Sequence, residues 1–293
     1  MPKNQKEWLV KWPRNHVFIV AFMLATVTLT LHVSAQQTRD ESKTQPSSTP
    51  TPLSRLLQSY PDALKEITAN ALFWRDGTAM PLDAPNGDVD APPSTSSDPL
   101  IRASVRDMVA LPYPIGEDTT ITAPTTDPGR SRPSKFFLKM YGDCRKGEVQ
   151  KHLTKIAWLP GRTNKTLQVT RINGVDKQLS AISRKLAKLP TNLQKFLKPA
   201  GGTFNCRQIA GTDRLSAHSY GIAIDIAVKY SDYWRWHKPN AAGKRPYRNK
   251  IPLQIVEIFE AHGFIWGGRW KHYDTMHFEY RPELLPAMKP VEK

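Results

Sequence analysis

Residues 216–225 read Ser216-Ala217-His218-Ser219-Tyr220-Gly221-Ile222-Ala223-Ile224-Asp225, a turn that runs into a strand over 222–228 (IAIDIAV). Side chains alternate between the two faces of a strand. Ile222, Ile224 and Ile226 therefore point to a core, and Ala223, Asp225 and Ala227 point the other way. Asp225 then has small neighbours and room for a ligand. Gly221 permits a turn that lets His218 lean back over the same face.

A second stretch, Asp274-Thr275-Met276-His277-Phe278-Glu279, repeats the pattern. His277 and Glu279 share one strand face and Phe278 faces the core. Two imidazoles and a carboxylate (His218, Asp225, His277) are a common donor set for a catalytic zinc that keeps one position for water. Such a site needs a carboxylate beside the water as general base, and Asp274 is the candidate. His152, His237, His262 and His272 lack comparable company and read as surface or core residues.

Working outward, residues 264–281 read as a hairpin or strand pair, and Pro252–His262 as a helix with Pro in its first turn and Gly263 as its stop. Val175–Leu197 carries a helical pattern broken by Pro190, and Phe136–Tyr141 a compact apolar run suited to a strand. Segregated helices and strands predict an α+β fold: a small antiparallel sheet carrying the zinc site, flanked by helices. Upstream, Ser54–Trp74 is spaced for one helical face, with Pro61 breaking or starting the helix. Residues 77–134 are rich in Pro, Asp, Thr and Ser and predict an irregular arm. The expected division is a leader over 1–35, a Ser/Thr/Pro-rich flexible tether over 36–53, a helix plus irregular N-terminal arm over 54–134, and the zinc domain over 135–293.

The leader sets the compartment. Lys3, Lys6, Lys11 and Arg14 precede an apolar run from Val17 to Leu31 that closes on Val33-Ser34-Ala35, the order of a secretory signal. An uncleaved anchor is the alternative, and the membrane is a partner only in that case. The 293 residues carry 42 Lys and Arg against 26 Asp and Glu, a formal charge of +16. Loss of the leader, with four basic residues and one acidic, leaves +13. Outside the cytoplasm such a charge points to wall polymers or lipid head groups and away from nucleic acid. Two cysteines, Cys144 and Cys206, exclude a disulfide-dense scaffold; their spacing leaves a bond between them open.

The two motifs together, SxHxxGxAxD and DxxHFE about fifty residues later, resemble the zinc D-alanyl-D-alanine carboxypeptidases and L-alanyl-D-glutamate endopeptidases of bacterial cell walls and phage endolysins, whose fold the Hedgehog signalling domain shares. The stretch GFIWGGRWKHYDTMHFE (263–279) is similar to the endopeptidase branch. The resemblance spans roughly residues 200–282. It implies one zinc ion on His218, Asp225 and His277, with Asp274 as catalytic base. It implies an arginine for the oxyanion, for which Arg207 in Phe204-Asn205-Cys206-Arg207 is chosen over Arg214, although the family's usual Ser-Gly-Tyr-Arg wording is absent. Ser216 occupies the motif serine, a structural or substrate-orienting hydroxyl. Glu279 is either an acceptor that orients a ligand imidazole or a strand-surface charge.

The aromatic, basic loop around Trp234 and Trp236 reads as a groove contribution, while Trp266 and Trp270 are split between groove wall and core. The expectation is an exported, periplasmic or extracellular, monomeric zinc metallopeptidase acting on peptidoglycan stem peptides, leaning to the L-Ala-D-Glu bond, with D-Ala-D-Ala carboxypeptidase as the alternative. A catalytically inactive zinc-binding wall-recognition domain and a metal-free basic adhesion protein are readings of other classes. Asp274 separates the first of these, since an inactive domain needs no base, and chelation separates the second.

Overall fold

The computed structural model describes residues 50–85, 103–116, 124–210 and 212–286. The leader expected at 1–35, and residues 36–49 of the tether, lie outside the described residues. Among those described, no helix is long and apolar enough to cross a membrane.

The chain opens with helix α1 (Pro52–Ser59), capped by the Thr51 hydroxyl accepting from Ser54 N, with Pro at its start. Pro61 follows the helix end, and the apolar spacing beyond it belongs to strands. β1 (Leu64–Ile67), β2 (Ala71–Trp74) and β3 (Ala79–Pro81) form an antiparallel meander. The Thr68–Ala71 turn joins the first two. The helical face expected over 54–74 is thus confined to α1, and its second half is strand. Helix α2 (Val105–Ala110) carries a capping box between Ser104 and Asp107.

Residues 134–141 correct the expected strand: they form helix α3 (Ser134–Tyr141). Phe136, Phe137, Met140 and Tyr141 fall on one helical face and are buried. A short apolar run does not by itself separate strand from helix. Here Pro133 sets the start and Gly142, at φ +93°, the end. A hairpin of β4 (Leu153–Ala157) and β5 (Thr166–Thr170) follows, then α4 (Val175–Ala187) and, after Pro190, the single turn α5 (Thr191–Gln194).

The remaining elements carry the site: β6 (Ala223–Asp225), α6 (Leu253–Glu260), β7 (Phe264–Trp266) and β8 (His277–Tyr280). β8 lies between β6 and β7 in an antiparallel sheet. The strand at 222–228 is shorter than expected, yet Ile222, Ile224 and Ile226 are all fully buried, as the alternation requires. α6 covers this core, with Phe259 stacked 3.9 Å from Phe278. One hydrophobic core runs from Leu56, Tyr60 and Leu72 through Phe136 and Tyr141 to Ile224 and Phe278. The Cys144–Cys206 disulfide is formed and ties the start of the domain to the loop before the first motif. The architecture is mixed helices and small antiparallel sheets.

Candidate metal centre and active site

Register builds the site. Asp225 on β6 pairs directly with His277 on β8, so both side chains leave the same face of the sheet. His218 arrives from a 3₁₀ turn, Ala217–Tyr220, that ends on Gly221 at φ +69°. A Cβ at Gly221 would stand 3.0 Å from Thr170 N and 2.9 Å from Leu153 Cδ2, so the turn requires glycine for conformation and space. His218 Nδ1 donates to Thr203 O at 2.6 Å, which leaves its Nε2 lone pair facing the cluster. His218 Nε2 lies 3.2 Å from Asp225 Oδ1 and 3.2 Å from His277 Nδ1, and His277 Nδ1 lies 3.0 Å from Asp225 Oδ1. One donor atom from each of the three residues falls within 4.8 Å of the others.

The electrostatics fit a cation at this point. Burial disfavours the Asp225 carboxylate, but its contacts with the His218 and His277 rings hold its pKa well below the ordinary range. Burial likewise disfavours a charged His277. Hydrogen bonds to Asp225 and Glu279, and the charges of both, win, and the ring is pushed up to about 10. A buried carboxylate set against two imidazole nitrogens favours a positive charge at this point. Two imidazoles and a carboxylate are a donor set that suits zinc.

Asp274 stands beside these ligands. Its backbone N–H donates to Gly267 O at 3.0 Å, and its carbonyl accepts from His277 N at 3.2 Å. A Cβ on Gly267 would sit 2.5 Å from Asp274 O, and one on Gly268 would enter the Trp266 ring. The WGG stretch is therefore a close-packed turn that places this acid. Asp274 Oδ1 is buried with no hydrogen-bond partner among the described residues. Burial and the Asp225 charge, against His277 and His218, push its pKa up to about 6.

Glu279 is fully buried, not a strand-surface charge. Its Oε2 accepts from His277 Nε2 at 3.1 Å and from Arg132 at 2.5 Å, and its Oε1 accepts from Arg281 at 3.1 Å. Burial would raise its pKa, but Arg132 and the other cations hold it well below the ordinary range. Arg281 also donates to Gly129 O and Glu283, and Glu283 accepts from the Tyr60 hydroxyl at 2.6 Å. A buried ladder of charge thus runs from α1 to a candidate ligand.

Around the ligands lies a cavity of about 130 Å³ whose lining includes Asp274, Arg207, Ser216, Tyr233, Trp270, Arg130 and Arg132. Arg207 is exposed at this cavity. Arg214 is buried and donates to the carbonyls of Arg130 and Arg132, so it supports the wall from behind. Ser216 caps the turn that carries His218, its carbonyl accepting from Ser219 N.

Of the tryptophans, Trp266 is 1 % exposed, stacked on Phe278, and donates to Thr275 O. Of the two readings open for this pair, groove wall or core, Trp266 takes the core position and Trp270 lines the cavity. Trp234 is held between Arg235, Arg245 and His272, and Trp236 is 54 % exposed; neither lines the cavity. Tyr233, the first residue of that aromatic, basic loop, does line it, whereas Arg130 and Arg132 were not singled out by the motifs. The Gly129-Arg130-Ser131-Arg132 stretch does put two arginines at strand spacing in an otherwise acid- and hydroxyl-rich arm. No local pattern ties it to a site more than eighty residues downstream.

Comparison with known proteins bears on the same segment. A sequence model described as D-alanyl-D-alanine carboxypeptidase matches residues 210–280. The peptidoglycan L-alanyl-D-glutamate endopeptidase CwlK of Bacillus subtilis (strain 168) is 39% identical over 72 residues, which is 23% of this chain and 40% of that protein. The chain thus spans less than half the length of that curated relative. No solved structure matches. The motif residues of both stretches lie inside the matched segment and three of them are brought together in the fold, so residues 210–280 are what this chain shares with the D-alanyl-D-alanine carboxypeptidase model.

Proposed function

We propose that this chain is an exported zinc metallopeptidase that hydrolyses peptide bonds of peptidoglycan stem peptides, at the L-Ala–D-Glu bond. The observation that carries the reading is the convergence of His218 Nε2, Asp225 Oδ1 and His277 Nδ1 beside a buried, unpartnered Asp274 Oδ1. His218, Asp225 and His277 would hold one zinc ion. When bound, zinc supplies Lewis acidity and lowers the pKa of a water to about 7.

The chain's own residues do the rest. Asp274 accepts the proton of the attacking water at its free Oδ1 and passes it to the leaving amine; a carboxyl with a raised pKa suits both transfers. The Arg207 guanidinium, lining the same cavity, stabilises the oxyanion as charge develops. Glu279 fixes the His277 ring by its Nε2 and keeps Nδ1 aimed at the metal position. Trp270, its ring 5.6 Å from that of His277, shields the site from water on one side.

The endopeptidase choice rests on the 39% identity to CwlK. The family description favours a second reading, D-Ala-D-Ala carboxypeptidase, in which the same residues act on a terminal bond. A catalytically inactive recognition domain would have no use for an acid held as Asp274 is. Export draws support from the Cys144–Cys206 bond, since disulfides persist mainly in oxidising compartments.

The test is digestion of purified muropeptides by wild type and His277→Ala, with products read by mass. A new peptide beginning with D-Glu supports the endopeptidase, and loss of one terminal alanine supports the carboxypeptidase. No wild-type product from any muropeptide sinks both.

A further inference from the structure

The arm outside the family segment contributes Arg130 to the cavity, and we infer that this guanidinium is a specificity-determining residue that binds a free α-carboxylate on the residue leaving as the amine. The inference rests on the peptidase reading above and deepens it.

Three guanidiniums reach the cavity, and their surroundings differ. Arg132 has its charge paired with Glu279 at 2.5 Å, and its Nε is buried without a partner among the described residues. Arg207 is exposed, and none of its side-chain donors is engaged among the described residues, so nothing fixes its head group. Arg130 is half-buried and held in place without being neutralised. Its guanidinium carbon lies 5.4 Å from the centre of the Trp270 ring, and one nitrogen donates to His272 O at 2.9 Å. His272 is itself pinned to the arm, its backbone N–H and ring both donating to Asp127. No carboxylate among the described residues forms an ion pair with Arg130. The remaining donors of a planar fork are therefore preorganised, charged and unspent at the edge of the reaction cavity. A fork of this geometry matches a carboxylate better than any other common anionic group of a peptide.

Substrate chemistry supplies such a group in either register. In L-Ala–D-Glu the glutamate continues the stem through its γ-carboxyl, so its α-carboxylate stays free on the carbon bonded to the scissile nitrogen. In D-Ala–D-Ala the leaving alanine carries its terminal α-carboxylate on the equivalent carbon. One fixed cation beside the metal position serves both. Because Arg130 lies outside residues 210–280, this discrimination belongs to the arm and not to the matched segment.

The test compares substrates differing by one group. The full-length zinc-loaded protein is given a stem peptide with the free α-carboxylate and the same peptide with that group as α-carboxamide, for both bonds. The readout is the ratio of kcat/KM between acid and amide, for wild type, Arg130→Gln and Arg130→Lys. Each ratio is internal to one protein preparation, and zinc content and melting report folding. Wild type should prefer the acid by roughly 10- to 100-fold, as a paired against an unpaired buried charge requires. Arg130→Gln should bring the ratio within about threefold, with the loss in KM, and Arg130→Lys should fall between, because charge remains and the fork does not. If Arg130→Gln fails to fold or load zinc, the lysine variant alone decides. A wild type indifferent to the amide, or a variant that keeps the wild-type ratio, overturns the assignment and leaves the peptidase reading standing. Failure of wild type to cut any of the peptides overturns both.

Discussion

Metal uptake should expel a proton from His277. In the metal-free cluster His277 Nδ1 donates to Asp225 and Nε2 donates to Glu279, and the ring is pushed up to about 10. A ligating Nδ1 must be bare. At pH 7 the proton sits about three pH units below that pKa, so displacing it costs about 4 kcal/mol. Apparent metal affinity should therefore rise at least tenfold per pH unit between about 6.5 and 9, and flatten as the ring's own pKa is passed. A metal-bound water titrating near 7 steepens the slope, so one proton is a minimum. The complementary sign applies to the metal-free fold. A raised folded pKa gives stability that is fully present below the unfolded value near 6.5 and is lost as pH climbs through about 10. Melting of the metal-free protein should fall over that window. Competition against a chromophoric chelator across the pH series measures the affinity, and calorimetry in buffers of different ionisation enthalpy counts the protons. An affinity independent of pH would refute the reasoning, because His277 would then be neutral and not held between two carboxylates.

Glu279→Gln should weaken metal binding by about 10- to 100-fold, since the His277 ring loses its orienting charge. It should also cost about 3–5 kcal/mol in denaturant unfolding, because Arg132 and Arg281 lose a buried counter-ion; a variant as stable as wild type would show that the ladder is unimportant. Gly267→Ala should push the Asp274 backbone, 2.5 Å from the new Cβ, and lower kcat by about 10²-fold with metal content unchanged. Unaltered kcat would remove Asp274 placement as the role of the WGG turn. Cys206→Ser should destabilise the fold by up to about 4 kcal/mol, the loop-closure value for a separation of 62 residues. A midpoint insensitive to reductant would contradict it.

The clustering of the candidate ligands was legible because strand physics fixes it locally. Alternation along 222–226 and 277–279 puts Asp225, His277 and Glu279 on their faces, and a glycine at 221 marks the turn that brings His218 over. The helix at Leu253–Glu260 and the strand pair after it were legible for the same reason: long periodic signals bounded by Pro and Gly. Helix α3 was not, because an apolar run of that length fits a buried strand equally well until Pro133 and Gly142 are weighed. Trp266 and Trp270, four apart, look alike in sequence; only the packing of the first against Phe278 and the opening of the second to the cavity tell them apart. Arg130 and Arg132 were invisible for a different reason. Their roles come from long-range contacts with Trp270, His272 and Glu279, which no local pattern encodes.

That long-range dependence bears on what the arm is for. Arg281, Glu279 and Glu283 are fully buried, and Arg132 nearly so. Buried ion pairs seldom outperform well-packed apolar groups in net stability, since desolvation consumes much of the Coulomb gain. Stability alone therefore gives little reason to keep four charges here. Geometry does. Three rungs join a residue of the arm to the chain at or just after β8: Tyr60 to Glu283, Gly129 O to Arg281 and Arg132 to Glu279; Glu279 in turn holds His277. Pro128 O adds a further tie by accepting from Trp270 Nε1 at 2.6 Å. Charged hydrogen bonds tolerate little displacement, so the ladder fixes the position of residues 127–133 relative to the ligands. The same tie that holds His277 thus sets where Arg130 stands, which makes the arm a wall of the candidate site and links it to the His218–Asp225–His277 cluster through one carboxylate, Glu279.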